Sequence, residues 1–593
     1  MDVLTVLVLS VLAGVLLGVA MWRLFGTRLS DALLLAGPLV GVLGVAVAAV
    51  AGVVPPEPAL SASVVLVLVA SFGVVRALDR PRGRWMRRLR SRLLFGVPWG
   101  TLISVLGVLG FYLFVQGGAD HLYSPVTLPF TSWSYYYPLG VLTAPFAHSG
   151  YGHIYGNLLG TVVLAPVAEY AFSHFPTERG ESAFSSLRTN PYVRAFVVFP
   201  LGVFCVGIAT SLLAWGPIIG FSGVVFAFAA FGLVRYPIAV VVALSLRSVV
   251  STLYTTITDP ITVASAGPSF GGPWWAGIAI QGHFVGLALG VLLGVLVFTR
   301  RERTPSAIRL FAGAVLFAAS LSLWAWWWYR GPSTYVLYRG VGIVFVLLIG
   351  WTVAATVRAS DRPLAFGFSR RQAGVLLLVL PLLIVAMVAV PVNLTTVSES
   401  GLPSDSVHVG GYTVGYAESV QNRRVSSVRV SLFGETTSVN ASGVIVYDPG
   451  RELWTQAVSS SELAYYGAQT VRVGGVGWRD TVTAQRLGWV ARGGGTTYNV
   501  YLKPSDGDWR AVFSSDSATA DATIDGKNVS VFAQGGAFGV KVTRENETLA
   551  RAGIPARGNS TTLAGIRFVH DGTQLVAVAD GTRVPIAHEE SYE

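Results

Sequence analysis

Runs of about twenty apolar residues recur through the first two-thirds of the chain, at 2–22, 32–54, 59–76, 94–116, 141–170, 195–214, 217–235, 237–256, 276–299, 308–329, 335–357 and 373–392. A run of that length covers the hydrocarbon thickness of a bilayer as an α-helix, so the pattern predicts about twelve membrane helices. From about 397 the period changes. Tyr498-Asn-Val-Tyr-Leu502, Phe538-Gly-Val-Lys-Val542 and Ile566-Arg-Phe-Val-His570 are β-branched, aromatic and near-alternating, and the pairs Asp525-Gly526, Asp571-Gly572 and Asp580-Gly581 punctuate them. This is the signature of strands joined by hairpin turns, and it predicts an all-β sandwich or barrel large enough for its own core. No catalytic constellation is visible there, which points to a binding or spacer role.

Charge gives the helices a direction. Charged residues are only 12% of the 593, against 52% hydrophobic. The net charge of +11 is uneven: residues 1–392 hold 25 Arg and no Lys against 11 acids, whereas 393–593 hold 17 basic and 20 acidic residues. A basic surplus confined to the membrane part follows from the positive-inside rule and needs no nucleic-acid partner. The loop from Arg76 through Arg80, Arg82, Arg84, Arg87, Arg88 and Arg90 to Arg92 is therefore expected in the cytoplasm, with Arg300-Arg301-Glu302-Arg303 and the Arg358–Arg371 loop. Counting from these anchors puts both termini outside. Asp2 stands where a signal peptide carries a positive charge, so the first run is expected to be a retained span. Five Asn-x-Ser/Thr acceptors, at Asn393, Asn440, Asn528, Asn546 and Asn559, all follow the last span and agree with an extracytoplasmic C-terminal domain. Cys205, the sole cysteine, excludes an intrachain disulfide and a cysteine metal cluster. Arginine without lysine, with heavy Ala, Val and Gly use, points to a GC-rich prokaryotic genome, and the sequon density leans towards an archaeal plasma membrane.

Polar groups inside such spans are costly and mark function. The chain carries His148-Ser-Gly-Tyr-Gly-His153-Ile-Tyr-Gly-Asn157, then Gly220-Phe-Ser222-Gly223, then His283-Phe-Val-Gly286-Leu-Ala-Leu-Gly290, in three separate runs. His153 and Asn157, four apart, share a helical face and can supply side-chain donors to an oxyanion. Small neighbours let another backbone approach Ser222, and the Gly286 and Gly290 stripe allows the packing that brings His283 within hydrogen-bond reach. Each motif alone is also what helix packing produces. Arg247 lies mid-span without an identified counter-ion.

Order and spacing together resemble the rhomboid family of intramembrane serine proteases. The resemblance covers 94–299 and implies a six-helix core in which Ser222 is the nucleophile and His283 the general base, without an acid, a metal or a cofactor. It further implies oxyanion donors at His153, Asn157 and the Ser222 amide, a loop-holding role for His148, and a glutamate, here Glu169, anchoring the first loop. Gly220-Phe-Ser-Gly-Val-Val-Phe-Ala227 is similar to the family's nucleophile helix, with Phe226 where many members stack a tyrosine on the catalytic histidine. Where members often carry Trp-Arg ahead of the first histidine, this chain has Leu139-Gly140, leaving the interfacial role to Trp133-Ser-Tyr-Tyr-Tyr137. The chain is thus expected to divide into three N-terminal transmembrane helices with a basic loop (1–93), a rhomboid-like protease core (94–299), three additional helices (300–392) and an exoplasmic β-rich domain (393–593). Its implied partners are transmembrane substrates and the lipid bilayer. Two alternatives remain at this stage: a catalytically inactive rhomboid-like escort, and a multi-span transporter.

Overall fold

The computed structural model describes residues 3–25, 29–79, 84–176, 180–262, 271–298, 304–331, 334–363, 367–399, 401–428, 431–432 and 435–593. Arg80, Arg82 and Arg300-Arg301-Glu302-Arg303, used above for orientation, lie outside the described residues.

A helix covers the greater part of each apolar run. By length and composition, Pro191–Leu213, Pro237–Thr258, Ile280–Phe298, Arg339–Arg358 and Arg370–Asn393 can cross a membrane, while Trp99–Val115, Ser222–Arg235 and Ala307–Ser320 are shorter apolar helices. Two runs break where hydropathy alone gave no sign. The run at 141–170 is a short Pro138–Thr143 helix, a turn containing His148, and the Tyr151–Phe172 helix. Pro145 lacks an amide hydrogen, so the first helix is not continued. The run at 308–329 leaves the helix after Ser320 and becomes a strand, Trp327–Gly331, paired antiparallel with Thr334–Leu337. Its Trp326-Trp-Trp-Tyr329 sequence is aromatic enough to suit either state, an ambiguity periodicity does not resolve.

One end of the core is pinned by a fully buried carboxylate. Glu169 Oε1 and Oε2 accept from the amides of Gly100 and Thr101 at 2.8 and 2.7 Å, and Oε2 also from Thr101 Oγ1 at 2.7 Å. His174 accepts the Leu94 amide at Nδ1, so its proton sits on Nε2, which lies 2.7 Å from Glu169 Oε1. The expectation that Glu169 anchors the first loop is therefore corrected: it caps the start of the Trp99–Gly110 helix, whose first amides have no partner within the helix.

Beyond the last helix, twenty-residue helical periodicity gives way to antiparallel sheets. Val407–Val409, Tyr412–Gln421, Asn440–Asp448 and Leu453–Ser459 form one four-stranded sheet, and Ala518–Ile524, Lys527–Gln534, Ala537–Arg544 and Glu547–Gly553 another. A long sheet runs behind both. It contains Trp478–Ala491, which pairs with Thr496–Pro504, Ala468–Gly475 and Thr582–Glu589. Two large apolar cores result, one around Tyr412, Val446 and Val500 and one around Val531, Val540 and Phe568, with a smaller cluster around Ile445 and Trp454. The expected single all-β sandwich is corrected to two sandwich-like lobes sharing a sheet, with one short helix at Ser460–Tyr466. Asp525-Gly526 and Asp580-Gly581 both have positive φ at both residues, the two-residue turn their sequence predicts.

The β-rich domain is seated on the helical part. Trp133, in the loop between Trp99–Val115 and Tyr151–Phe172, is 4% exposed and packs in the core formed by Val407, Tyr412 and Val473. Its indole donates to the Leu128 carbonyl at 2.7 Å. Arg479 Nη1 donates to the Ser124 carbonyl at 2.6 Å, and Ser134 Oγ to the Asn393 carbonyl at 2.9 Å. The interfacial role expected of Trp133 is thus corrected: the ring is a core residue of the β-rich domain. Asn393 is also removed as a glycosylation acceptor. It is 1% exposed, its Nδ2 donating to the Ala214 carbonyl and its Oδ1 accepting from Gly216 N, so no transferase could reach it. Asn440, Asn528, Asn546 and Asn559 are exposed.

Trp133→Ala should destabilise the protein by about 3–5 kcal/mol, the usual cost of emptying a buried tryptophan site. Chemical unfolding in detergent, followed through the β-rich domain's signal, checks this; an unchanged midpoint would show that the loop and the domain are not one packed unit.

Candidate active site

Three helices meet at Ser222. The residue opens the Ser222–Arg235 helix, where its own amide and that of Gly223 have no acceptor in the helix. Gly220 makes the entry possible. Its φ is +122°, and a Cβ there would lie 2.5 Å from His153 Cε1, so the position excludes a side chain on two grounds.

His283 reaches Ser222 from the neighbouring Ile280–Phe298 helix, with Nε2 2.9 Å from Ser222 Oγ. The two helices touch backbone to backbone. A Cβ on Gly286 would lie 1.9 Å from the Gly223 carbonyl oxygen, and one on Gly290 would lie 2.4 Å from that of Ala227. Gly223 is hemmed in on two sides, a Cβ there meeting Thr210 Cγ2 at 2.9 Å and the Gly282 carbonyl oxygen at 3.3 Å. Phe226, one turn after Ser222, stacks on the His283 ring with centroids 4.3 Å apart and planes within 11°. Phe226 in turn meets Phe317, edge-on at 5.1 Å. Phe317 belongs to the Ala307–Ser320 helix, outside the stretch the family resemblance covered, and sequence reasoning did not find it.

His153 and Asn157 come from the Tyr151–Phe172 helix. A Cβ on Gly220 would have His153 Nε2 at 2.6 Å and Asn157 Nδ2 at 3.6 Å, so both donors converge on the turn just before the serine. Ser149 Oγ lies 3.0 Å from His153 Nδ1 and orients the ring, with His148 packed edge-on at 5.0 Å. His148 itself is held by its backbone: its amide donates to Gln116 Oε1 at 2.8 Å and its carbonyl accepts from Gln116 Nε2 at 2.9 Å. The same amide of Gln116 reaches the Val126 carbonyl, so one glutamine ties the two ends of the first loop together. Gln116 carries no motif and could not be singled out from the sequence.

These groups line one cavity of about 310 Å³, bounded by His153, Asn157, Ser222, Phe226, Arg247 and His283. Asn157 Nδ2 is buried there without a partner among the described residues, as is His283 Nδ1. A free amide donor beside a serine–imidazole pair is the equipment for holding an oxyanion. Residues 129–300 match the family model described as Rhomboid domain. This stretch is a rhomboid domain. Comparison with curated proteins and with solved structures returns no match. The rhomboid domain includes the site residues named above except Gln116, Val126 and Phe317, and starts at 129, whereas the resemblance in the sequence starts at 94. Both flanking sets of helices and the β-rich domain lie outside it.

A methyl group at position 286 tests the seam. Gly286→Ala should part the Ser222 and His283 helices and remove active-site labelling by a fluorophosphonate, while Gly340→Ala, in open space, leaves it. Full labelling of the Gly286 variant would refute the claim that this contact sets the serine–histidine distance.

Proposed function

We propose that the protein is an intramembrane serine endopeptidase that hydrolyses peptide bonds of transmembrane substrates with a Ser222–His283 dyad. The observation that carries this reading is the 2.9 Å approach of His283 Nε2 to Ser222 Oγ at the head of a helix, with the imidazole stacked on Phe226. A serine and a histidine held at bonding distance favour this reading over an inactive escort, and the rhomboid domain favours it over a transporter.

In the proposed reaction Ser222 donates its hydroxyl proton to His283 Nε2 as Oγ attacks the scissile carbonyl. The oxyanion is met by the Ser222 amide and by the His153 and Asn157 donors. His283 then returns the proton to the departing amine, leaving an acyl ester on Ser222. A water molecule, deprotonated by the same imidazole, hydrolyses the ester and restores the serine. Asn157 Nδ2, buried on the cavity with no partner among the described residues, is free to donate to the oxyanion, and a bond that strengthens as negative charge develops lowers the barrier.

The proposed setting is a plasma membrane crossed about twelve times, with the β-rich domain on the exoplasmic side. Four exposed sequons in that domain and the arginine bias of the loops support this placement. The domain's packing against the first loop makes it part of the frame around the site and not a tethered accessory.

Ser222→Ala and His283→Ala should each lower cleavage of a membrane-embedded reporter by at least about 10⁴-fold, since the pair acts as one unit. Fluorophosphonate labelling of the parent, absent from Ser222→Ala, checks the nucleophile directly; wild-type cleavage in either variant sinks the assignment. His153→Ala and Asn157→Ala should each cost about 10²- to 10³-fold in turnover, the loss expected for one oxyanion donor. Kinetics on protein still retained in the membrane would distinguish this from loss of a merely structural hydrogen bond, which would move stability and leave turnover of the folded fraction unchanged.

A further inference from the structure

Arg247 occupies the eleventh position of the 22-residue Pro237–Thr258 helix, roughly 15 Å from either end at 1.5 Å per residue. Its side chain turns towards the Tyr151–Phe172 helix. Seven residues further on, Tyr254 Oη lies 2.7 Å from Tyr151 Oη and its ring 4.9 Å from that of Tyr155, which fixes this face of the helix against its neighbour. In that seam the Arg247 guanidinium sits beside a gap left by two glycines. Nothing lies within 4 Å of a Cβ built on Gly152, and only Arg247 Nη2, at 3.9 Å, lies near one built on Gly156.

Arg247 lines the same cavity as Ser222 and His283, and the residue it approaches, Gly156, precedes the Asn157 donor in the chain. Among the described residues no aspartate or glutamate lines that cavity. Among the described residues Arg247 makes no hydrogen bond or ion pair, and the Tyr155 hydroxyl, buried on the same seam, has no partner either. A guanidinium in the middle of an apolar helix is costly unless something pairs with it, and its planar fork suits a carboxylate in two-point contact. A lipid phosphate would have to travel from the end of the helix to its middle. A substrate threaded to Ser222 brings its own side chains there.

Resting on the proteolytic reading, we propose that Arg247 is a specificity determinant that binds an aspartate or glutamate side chain of the substrate close to the scissile bond. A cavity of about 310 Å³ has room for only a few side chains, so the acidic residue must be an immediate neighbour of the bond that is cut. The protein then selects transmembrane segments whose cleavage region carries a negative charge, an uncommon feature in a membrane helix and hence a discriminating one.

The test uses the full-length protein in vesicles and a set of transmembrane reporters in which each residue within four of the cleavage site is Ala, Asp or Lys in turn. At one or two positions the Asp reporter should be cut at least about tenfold faster than the Ala reporter, the size of effect one charge-assisted pair gives. Arg247→Gln should collapse that ratio to near one, and Arg247→Glu should invert it in favour of Lys at the same position. A native protein that labels at Ser222 and cuts Ala and Asp reporters equally at every position overturns the proposal and leaves the protease reading intact. Equal slowing of all reporters in Arg247→Gln, with rates that follow the anionic-lipid content of the vesicles, assigns the guanidinium to a lipid phosphate and also overturns it. Absence of both labelling and cleavage in the native protein would instead remove the protease reading on which the proposal stands.

Discussion

The contact between the Gly223 carbonyl and Gly286 governs the distance on which the proposed chemistry depends. Hydrogen bonding between an imidazole and a hydroxyl fades within a few tenths of an ångström beyond about 3.2 Å. A single added carbon at Gly286 would sit 1.9 Å from a carbonyl oxygen and would force the helices apart by more than that margin. Burial cannot relieve the strain, because the partner is backbone on a helix that is buried along nearly its whole length. The same seam continues through Gly290 and Gly294, so the serine–histidine distance is set by three turns of close packing and not by the hydrogen bond itself.

Around this seam, buried polar groups divide into two kinds. Glu169, His174, Gln116 and Asn393 are hydrogen-bonded to backbone groups of other segments, with Glu169 also meeting the Thr101 hydroxyl and His174, and each fastens parts of the chain that are far apart in sequence. In an apolar surrounding such a satisfied group is rigid, since moving it would strand a donor or acceptor at a cost of about 1–3 kcal/mol each. Asn157 and Arg247 form the other kind. They face the cavity, and neither has a hydrogen-bond partner among the described residues, Asn157 Nδ2 being buried and Arg247 half-buried. The contrast separates groups that fasten the frame from groups that face the cavity.

The elements outside the rhomboid domain belong to the same physical unit. Phe317 supports the ring that stacks on His283, and Trp133 carries the first loop into the core of the β-rich domain. A change in either added element is therefore transmitted to the site through packed side chains, over two contacts in the first case.

Much of this was legible without coordinates. Length and apolarity of the runs, the arginine bias and the change to alternating residues after about 397 follow from local chemistry, and local chemistry is written residue by residue. The same holds for Ser222, His283, His153 and Asn157, whose types are so costly inside apolar segments that their presence is itself a signal, and for Phe226 and the Gly286 stripe, whose spacing is helical. What the sequence could not settle was every property that depends on a partner distant along the chain. Asn393 reads as a sequon because a tripeptide is local, and it is buried because Ala214 and Gly216 lie across from it. Trp133 reads as an interfacial aromatic until the strands that cover it are in place. Glu169 reads as an anchor for the first loop and caps a helix; Gln116 and Phe317 have no motif at all. Arg247 was visible as an oddity, but only the packing of its helix against Gly156 turned that oddity towards the serine.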